Sequence, residues 1–172
     1  MILNINMRNN LYVLRFYGYS VLPIFMVLSF FKFRQAIVVI SILLYMFVSL
    51  PVLYLHIVYY LENRGQKIII DNNELVIKAR GMLARIKKDD LDKVIYFLHG
   101  NMDKWGVPVT PMEYYNYIKI ITKSGKQIFI TCLMYKNLYE VLNELSGIPA
   151  TRKYNPFFIL RKNMPSPIDE LR

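Results

Sequence analysis

Cysteine is almost missing from this chain. Cys132 is the only one in 172 residues, so no internal disulfide can form, and a lone thiol fits a reducing compartment. Histidine is nearly as scarce, with only His56 and His99. No HExxH, CxxC, phosphate-binding loop or dinucleotide fingerprint occurs. His99 and Cys132 lie on separate candidate strands with no flanking motif, so a Cys–His dyad has little behind it. Asp89, Asp90 and Asp92 lack the glycine and the distal glutamate of a calcium loop and read as a turn between strands. The sequence therefore names no catalytic residue, no metal site and no cofactor, and it predicts a protein that is not an enzyme.

Acidic residues are missing from one part of the chain. All 12 lie at or after Glu62, while the residues before it carry only Arg8, Arg15, Lys32 and Arg34 as charges. Ala36 to Leu61 contains no charged residue, and a helix of that length reaches about 39 Å, enough to cross a hydrocarbon core of about 30 Å. A second apolar stretch, Leu11–Phe31, contains Arg15, which can snorkel to an interface, and Pro23, which a membrane helix tolerates. It runs into Phe33-Arg34-Gln35 without a small-residue cleavage pattern, which favours a retained helix over a cleaved signal.

Residues 11–61 therefore predict a transmembrane helical hairpin, with spans at 11–31 and 36–61 turned at Lys32–Gln35, after a tail at 1–10. Tyr12, Phe16, Tyr17 and Tyr19 open the first span, and Tyr54, Tyr59 and Tyr60 close the second, as an aromatic belt at one interface would require. Arg8, Arg15, Arg64, Lys67, Lys78 and Arg80 gather on that side, against Lys32 and Arg34 in the turn. The positive-inside rule then places both termini in the cytoplasm of a cell with a multi-pass inner-membrane protein. His56 falls among the interfacial tyrosines and has no acidic partner in either span.

After Arg64-Gly65 the pattern changes to short β-rich runs. Gln66–Asp71, Glu74–Ala79, Met82–Lys87, Lys93–His99, Tyr114–Thr122 and Lys126–Cys132 read as consecutive antiparallel strands, with Asn72-Asn73 and Lys123-Ser124-Gly125 as hairpin turns. Ile128, Ile130 and Cys132 share one face, which makes Cys132 a core residue. From Met134 to Ser146 the period becomes helical, with Leu138, Val141, Leu142 and Leu145 on one stripe, stopped by Gly147 and Pro149. The expected architecture is α+β: the two-helix hairpin, then an antiparallel barrel or sandwich at 62–149 capped by the helix at 134–146, then an extended tail at 150–172.

The segment Asp90-Leu91-Asp92-Lys93-Val94 and the run from Ile120 to Thr131 (IITKSGKQIFIT) carry a resemblance. The chain from about Gln66 to Gly147 resembles bacterial pleckstrin-homology-like domains, in particular small two-helix membrane proteins known only as PH-domain-containing. Such a domain has seven strands where six are visible here; the seventh either lies within 101–113 or the fold is a variant. In phosphoinositide-binding members, basic side chains around the first hairpin grip the headgroup phosphates. The first hairpin visible here turns at Asp71-Asn72-Asn73-Glu74, polar and partly acidic, which argues against carrying that site over.

A net charge of +10 suits an anionic surface. The candidate ligand patch is Lys78, Arg80, Arg85, Lys87 and Lys88; each charge near an anionic leaflet is worth about 1 kcal/mol, and the competing reading is ordinary solvated strand residues. Trp105, in the long loop, is a candidate partner or interface anchor, or equally a plug for the barrel. No nucleic-acid recognition motif accompanies the charge. The sequence thus predicts a membrane-embedded, non-catalytic interaction module with a protein partner, with anionic lipid headgroups as the alternative and an enzyme of unrecognised type as the second alternative.

Overall fold

The computed structural model describes residues 1–19, 21–30, 35–79, 81–98 and 110–154. The β-rich runs do form strands: β2 (Gln66–Ile70), β3 (Glu74–Ala79), β4 (Met82–Lys87), β5 (Leu91–Leu98), β6 (Tyr117–Thr122) and β7 (Gln127–Thr131). The polar Lys88–Asp90 step between β4 and β5 is a single 3-10 turn, and a second one, Pro111–Tyr114, precedes β6. The helix predicted at 134–146 is the shorter α4, Leu138–Glu144, because a turn bonding Met134 N–H to the Thr131 carbonyl at 2.9 Å occupies the start of that stretch.

Two elements were not visible in the sequence pattern. Ile2–Asn4, within the predicted tail, form strand β1, antiparallel to β2 with Leu3 opposite Ile68. Leu3 is completely buried, so hydrophobic burial holds this short edge strand in place. Ala150–Tyr154, at the head of the predicted extended tail, form β8, which pairs in parallel with β5. Residues 155–172 lie outside the described residues.

The strands make two four-stranded sheets, ordered β1-β2-β3-β4 and β7-β6-β5-β8. No ladder joins them among the described residues, so of the two expected forms, barrel or sandwich, the strands take the open sandwich. Its core forms where period two points one face of each sheet inward. Leu3, Ile68, Ile70, Leu75 and Ile77 meet Val94, Tyr96, Ile118, Ile120, Ile128 and Ile130, with Leu138 and Val141 of α4 and the Leu145 that follows it joining the same core.

The helical part departs further from expectation. The stretch at 11–31 is carried by two helices, α1 (Met7–Tyr19) and α2 (Val21–Phe30). Helix α1 is amphipathic and belongs to the domain: Val13 is buried against it, and Asn9 Nδ2 donates to the Leu133 carbonyl at 3.3 Å. Only α2 is apolar all round, and at about 15 Å it is too short to cross a bilayer core alone. Among the described residues, one helix is long and apolar enough to cross a membrane: α3, Gln35–Asn63, in place of the predicted pair of spans. Lys32, Phe33 and Arg34 of the predicted turn lie outside the described residues. Pro51 sits within α3 without ending it.

The last turns of α3 dock on the outer face of the second sheet. Val52, Leu55 and Tyr59 pack with Ile95, Phe97, Tyr117, Phe129, Cys132 and Leu133. Tyr59 meets Tyr115 and Tyr117 edge-on, at centroid distances of 5.3 and 6.0 Å, and Phe97 stacks on Tyr117 at 4.6 Å. Tyr59 is therefore a core residue of this second layer and not part of an interfacial belt. Asn63 ends the helix and is itself completely buried. Its Nδ2 donates to the Phe129 carbonyl at 2.8 Å, and its Oδ1 accepts from Thr131 N–H at 3.2 Å. One side-chain amide thus covers part of the open edge of β7 as a strand neighbour would. Gly65 then reverses the chain into β2 at φ +71, where any L side chain would be strained.

Candidate functional site

The predicted basic patch is only partly assembled. In the β3–β4 ladder Lys78 lies opposite Leu83, Val76 opposite Arg85, and Glu74 opposite Lys87, so Lys78, Arg85 and Lys87 share the outer face of the first sheet. Lys67, opposite Lys78 on β2, joins them. It was readable in principle, because a tight hairpin at Asn72-Asn73 fixes that register. The face is not purely basic: Glu74 Oε1 sits 3.8 Å from the Arg85 guanidinium, an exposed pair of small energetic weight.

Lys88 is drawn away by the 3-10 turn. Its Nζ donates to the Glu144 carbonyl at 2.7 Å, which satisfies a carbonyl of the last turn of α4. Its role is to cap that helix. Arg80, Trp105 and His99 lie outside the described residues.

Lys87 and Lys88 also border an open cleft of about 920 Å³ between the Asn72–Glu74 turn, the 3-10 turn, Lys123 and the end of α4 at Ser146–Pro149. Its cations, Lys87, Lys88 and Lys123, are matched by Glu74, Asp89 and Asp92, so no strong potential of one sign builds up. The cleft lies at the far end of β2 from Gln66, where α3 enters the sheet. At the near end, the turn between β3 and β4 exposes Met82 and Leu83 beside Lys67 and Lys78.

The remaining titratable groups are structural. Cys132 is buried in the layer beneath α3, and that burial pushes its thiol up to about 12, the opposite of what a nucleophile needs. Burial likewise holds the Tyr115 phenol well above its ordinary value, while its hydroxyl lies 3.1 Å from His56 Nδ1. Lys119, on the outer face of β6, is held below the usual lysine range by burial and by the neighbouring Lys153, with its ammonium 5.6 Å from the Phe129 ring centroid.

The strand count, counted with β1, now gives a first sheet of four and a second that begins with β5-β6-β7, followed by a helix. A family model described as PH domain matches residues 4–139. The chain belongs to the PH-domain family. No curated protein and no solved structure matches it. The PH match runs from the end of β1 into α4 and so spans the helices as well as the strands. With β1 the described strands leading up to α4 number seven; residues 101–109 lie outside the described residues. It follows that the hairpin at Asp71–Glu74 is the second of this PH domain, and that the connection between its first two strands is the whole helical segment α1–α3. PH domains are in general interaction modules that bind proteins or lipid headgroups.

Proposed function

We propose that this chain is a non-catalytic PH module fixed to a membrane by its own inserted helices and holding a protein partner at the cytoplasmic leaflet. The anchoring half rests on exposed apolar surface. Leu22, Phe25, Met26 and Phe30 of α2, and Ile40, Leu43, Leu44 and Phe47 of α3, are all more than half exposed, and such a surface is not stable in water. The observation that carries the partner half is the charge-balanced cleft. It lies at the strand ends remote from those helices and is bordered by three cations and three anions, which suits a polar protein surface better than a uniformly anionic headgroup.

A photo-crosslinking side chain at Asn73, in the full chain in native membranes, tests this. The expected result is one discrete protein adduct that is lost when Lys123 and Asp92 are both neutralised. Adducts to lipid alone would overturn the protein reading.

A second reading has its own observation. Met82 and Leu83 flanked by Lys67 and Lys78, at the strand ends nearest α3, form a surface suited to an anionic leaflet. Headgroup contact there would orient a domain that is already anchored. The reading requires that Lys67→Gln with Lys78→Gln alter the orientation of the domain on phosphatidylglycerol nanodiscs and leave it unaltered on phosphatidylcholine ones.

A further inference from the structure

Strand β4 ends the first sheet, and its outer edge meets no other strand among the described residues. Two hydrogen bonds fix which backbone groups that edge presents. Lys88 N–H donates to the Asn73 carbonyl at 2.9 Å, and Asp71 N–H donates to the Glu74 carbonyl at 2.9 Å. In an antiparallel ladder, bonded pairs alternate with unbonded ones. Counted in twos from the first bond, Ile86, Ala84 and Met82 turn their polar groups toward β3. Counted from the second, Val76 and Lys78 turn theirs toward β2 and leave Leu75, Ile77 and Ala79 for β4, the same partners. The N–H and C=O of Leu83 and Arg85, and the N–H of Lys87, therefore point away from the sheet.

An edge of this kind is a template for another strand, and proteins commonly blunt it with charge. Arg85 and Lys87 blunt it against a second copy of this chain. Two β4 strands paired about a two-fold axis at Arg85 set that side chain against its own copy, and like charges directly opposite destabilise a ladder. The same charges favour an acidic strand.

The two faces of the edge ask for different side chains. Leu83, Arg85 and Lys87 share the outer face, while Ala84 and Ile86, on the other, are only partly covered by the core. Arg85 and Ile86 also line an open groove of about 460 Å³, together with Lys123, Ser124 and Lys126 of the β6–β7 hairpin. The anions nearby are Glu74, 3.8 Å from the Arg85 guanidinium in an exposed pair, and Asp90 in the groove. Arg85, Lys87, Lys123 and Lys126 outnumber them, so the edge carries a positive balance.

We propose that the β4 edge takes an extended segment of the protein partner as a fifth strand of the first sheet. That segment alternates carboxylates, on the face of Arg85 and Lys87, with aliphatic side chains toward Ala84 and Ile86. Main-chain hydrogen bonds hold it, and the alternation selects it. Lys87 and Lys123 border the charge-balanced cleft as well, so a strand on this edge runs into that cleft. The proposal rests on the protein-partner reading for its occupant and adds how that occupant is held.

The test uses the full chain in phosphatidylcholine nanodiscs with a synthetic peptide of alternating glutamate and valine, read by residue-resolved amide exchange. Saturating peptide should slow exchange at Leu83, Arg85 and Lys87 at least about tenfold, and change Ala84 and Ile86, already bonded to β3, much less. Leu83→Pro removes only an outward N–H and leaves every charge in place, so it should keep the fold and weaken the peptide at least about tenfold. The same peptide N-methylated at alternate residues keeps its charge, cannot pair, and should bind at least about tenfold more weakly. Arg85→Glu with Lys87→Glu should reverse the preference, toward a peptide of alternating lysine and valine. Equal affinity for the N-methylated peptide, or no added protection at Leu83 and Arg85, overturns the proposal. A protein adduct at Asn73 without peptide pairing on β4 keeps the partner and overturns the strand, whereas lipid adducts alone at Asn73 overturn the reading of the cleft.

Discussion

Asn63→Leu is the most informative single change in this molecule. The asparagine is completely buried at the last residue of α3, and its amide serves two backbone groups of the edge strand β7: the Phe129 carbonyl at 2.8 Å and the Thr131 N–H at 3.2 Å. Leucine has the same number and branching of side-chain heavy atoms, so the change opens no cavity, but it serves neither group. Each buried backbone group left unpaired costs about 1–3 kcal/mol, offset in part by the apolar character leucine adds, for a net loss of about 2–4 kcal/mol. For a chain of this size that corresponds to a drop of about 5–15 °C in melting temperature. Thermal unfolding in detergent, followed by near-ultraviolet circular dichroism, measures it. Amide exchange gives the local readout: Thr131 N–H should lose protection by at least about tenfold, while the amides of β2 and β3 keep theirs. Asn143→Leu, on the exposed side of α4, is the control and should stay within about 2 °C. A melting temperature unchanged by Asn63→Leu, with Thr131 exchange also unchanged, would refute the reading of this side chain as the joint between helix and sheet.

Leu55→Ala should cost about 2–4 kcal/mol in detergent, because Leu55 is buried against the second sheet, whereas Leu53→Ala, on the exposed side of the same helix, should cost little; equal effects would mean that α3 does not dock. Leu3→Ala should destabilise by a similar 2–4 kcal/mol and raise exchange at Ile68 and its neighbours in β2, the strand facing β1; no change would put β1 outside the sheet. Cys132 should make stability fall in alkali. Its thiol titrates at about 12 in the folded state and at about 8.5 when unfolded, so its contribution is intact below about pH 8.5 and is lost as pH rises toward 12. At pH 10 the loss is about 2 kcal/mol, read as the difference between the native chain and Cys132→Ala; a pH profile identical in the two would contradict the burial of this group.

How much of this was legible in the sequence depended on whether each signal was local. β2 to β7 announce themselves by alternation within a few residues and by turn residues between them. β1 does not, because three residues carry no periodicity and the strand they pair with comes only after three helices. The same insertion hid the family's first hairpin and moved attention to Asp71–Glu74. Hydropathy found α3 readily, but a helix apolar on every side gives no sign of which face docks. For the basic patch, Lys78, Arg85 and Lys87 followed from strand alternation. Lys88 failed because one 3-10 turn rotates its side chain to α4.

The insertion of α1–α3 between β1 and β2 also dictates an order of events. β1 is made first, yet its partner is synthesised about 60 residues later, which at ordinary synthesis rates of 5–20 residues per second is a delay of roughly 3–12 s. During that interval Ile2 and Leu3 have no sheet to join, and the apolar helices between them and β2 must already have found their own surroundings. Pairing of β1 with β2, and with it the burial of Leu3, therefore waits until the helices between them have been made. A chain whose helices go astray would display a PH sandwich with one slot empty, an exposed apolar groove along β2 that a quality-control protease or chaperone could recognise.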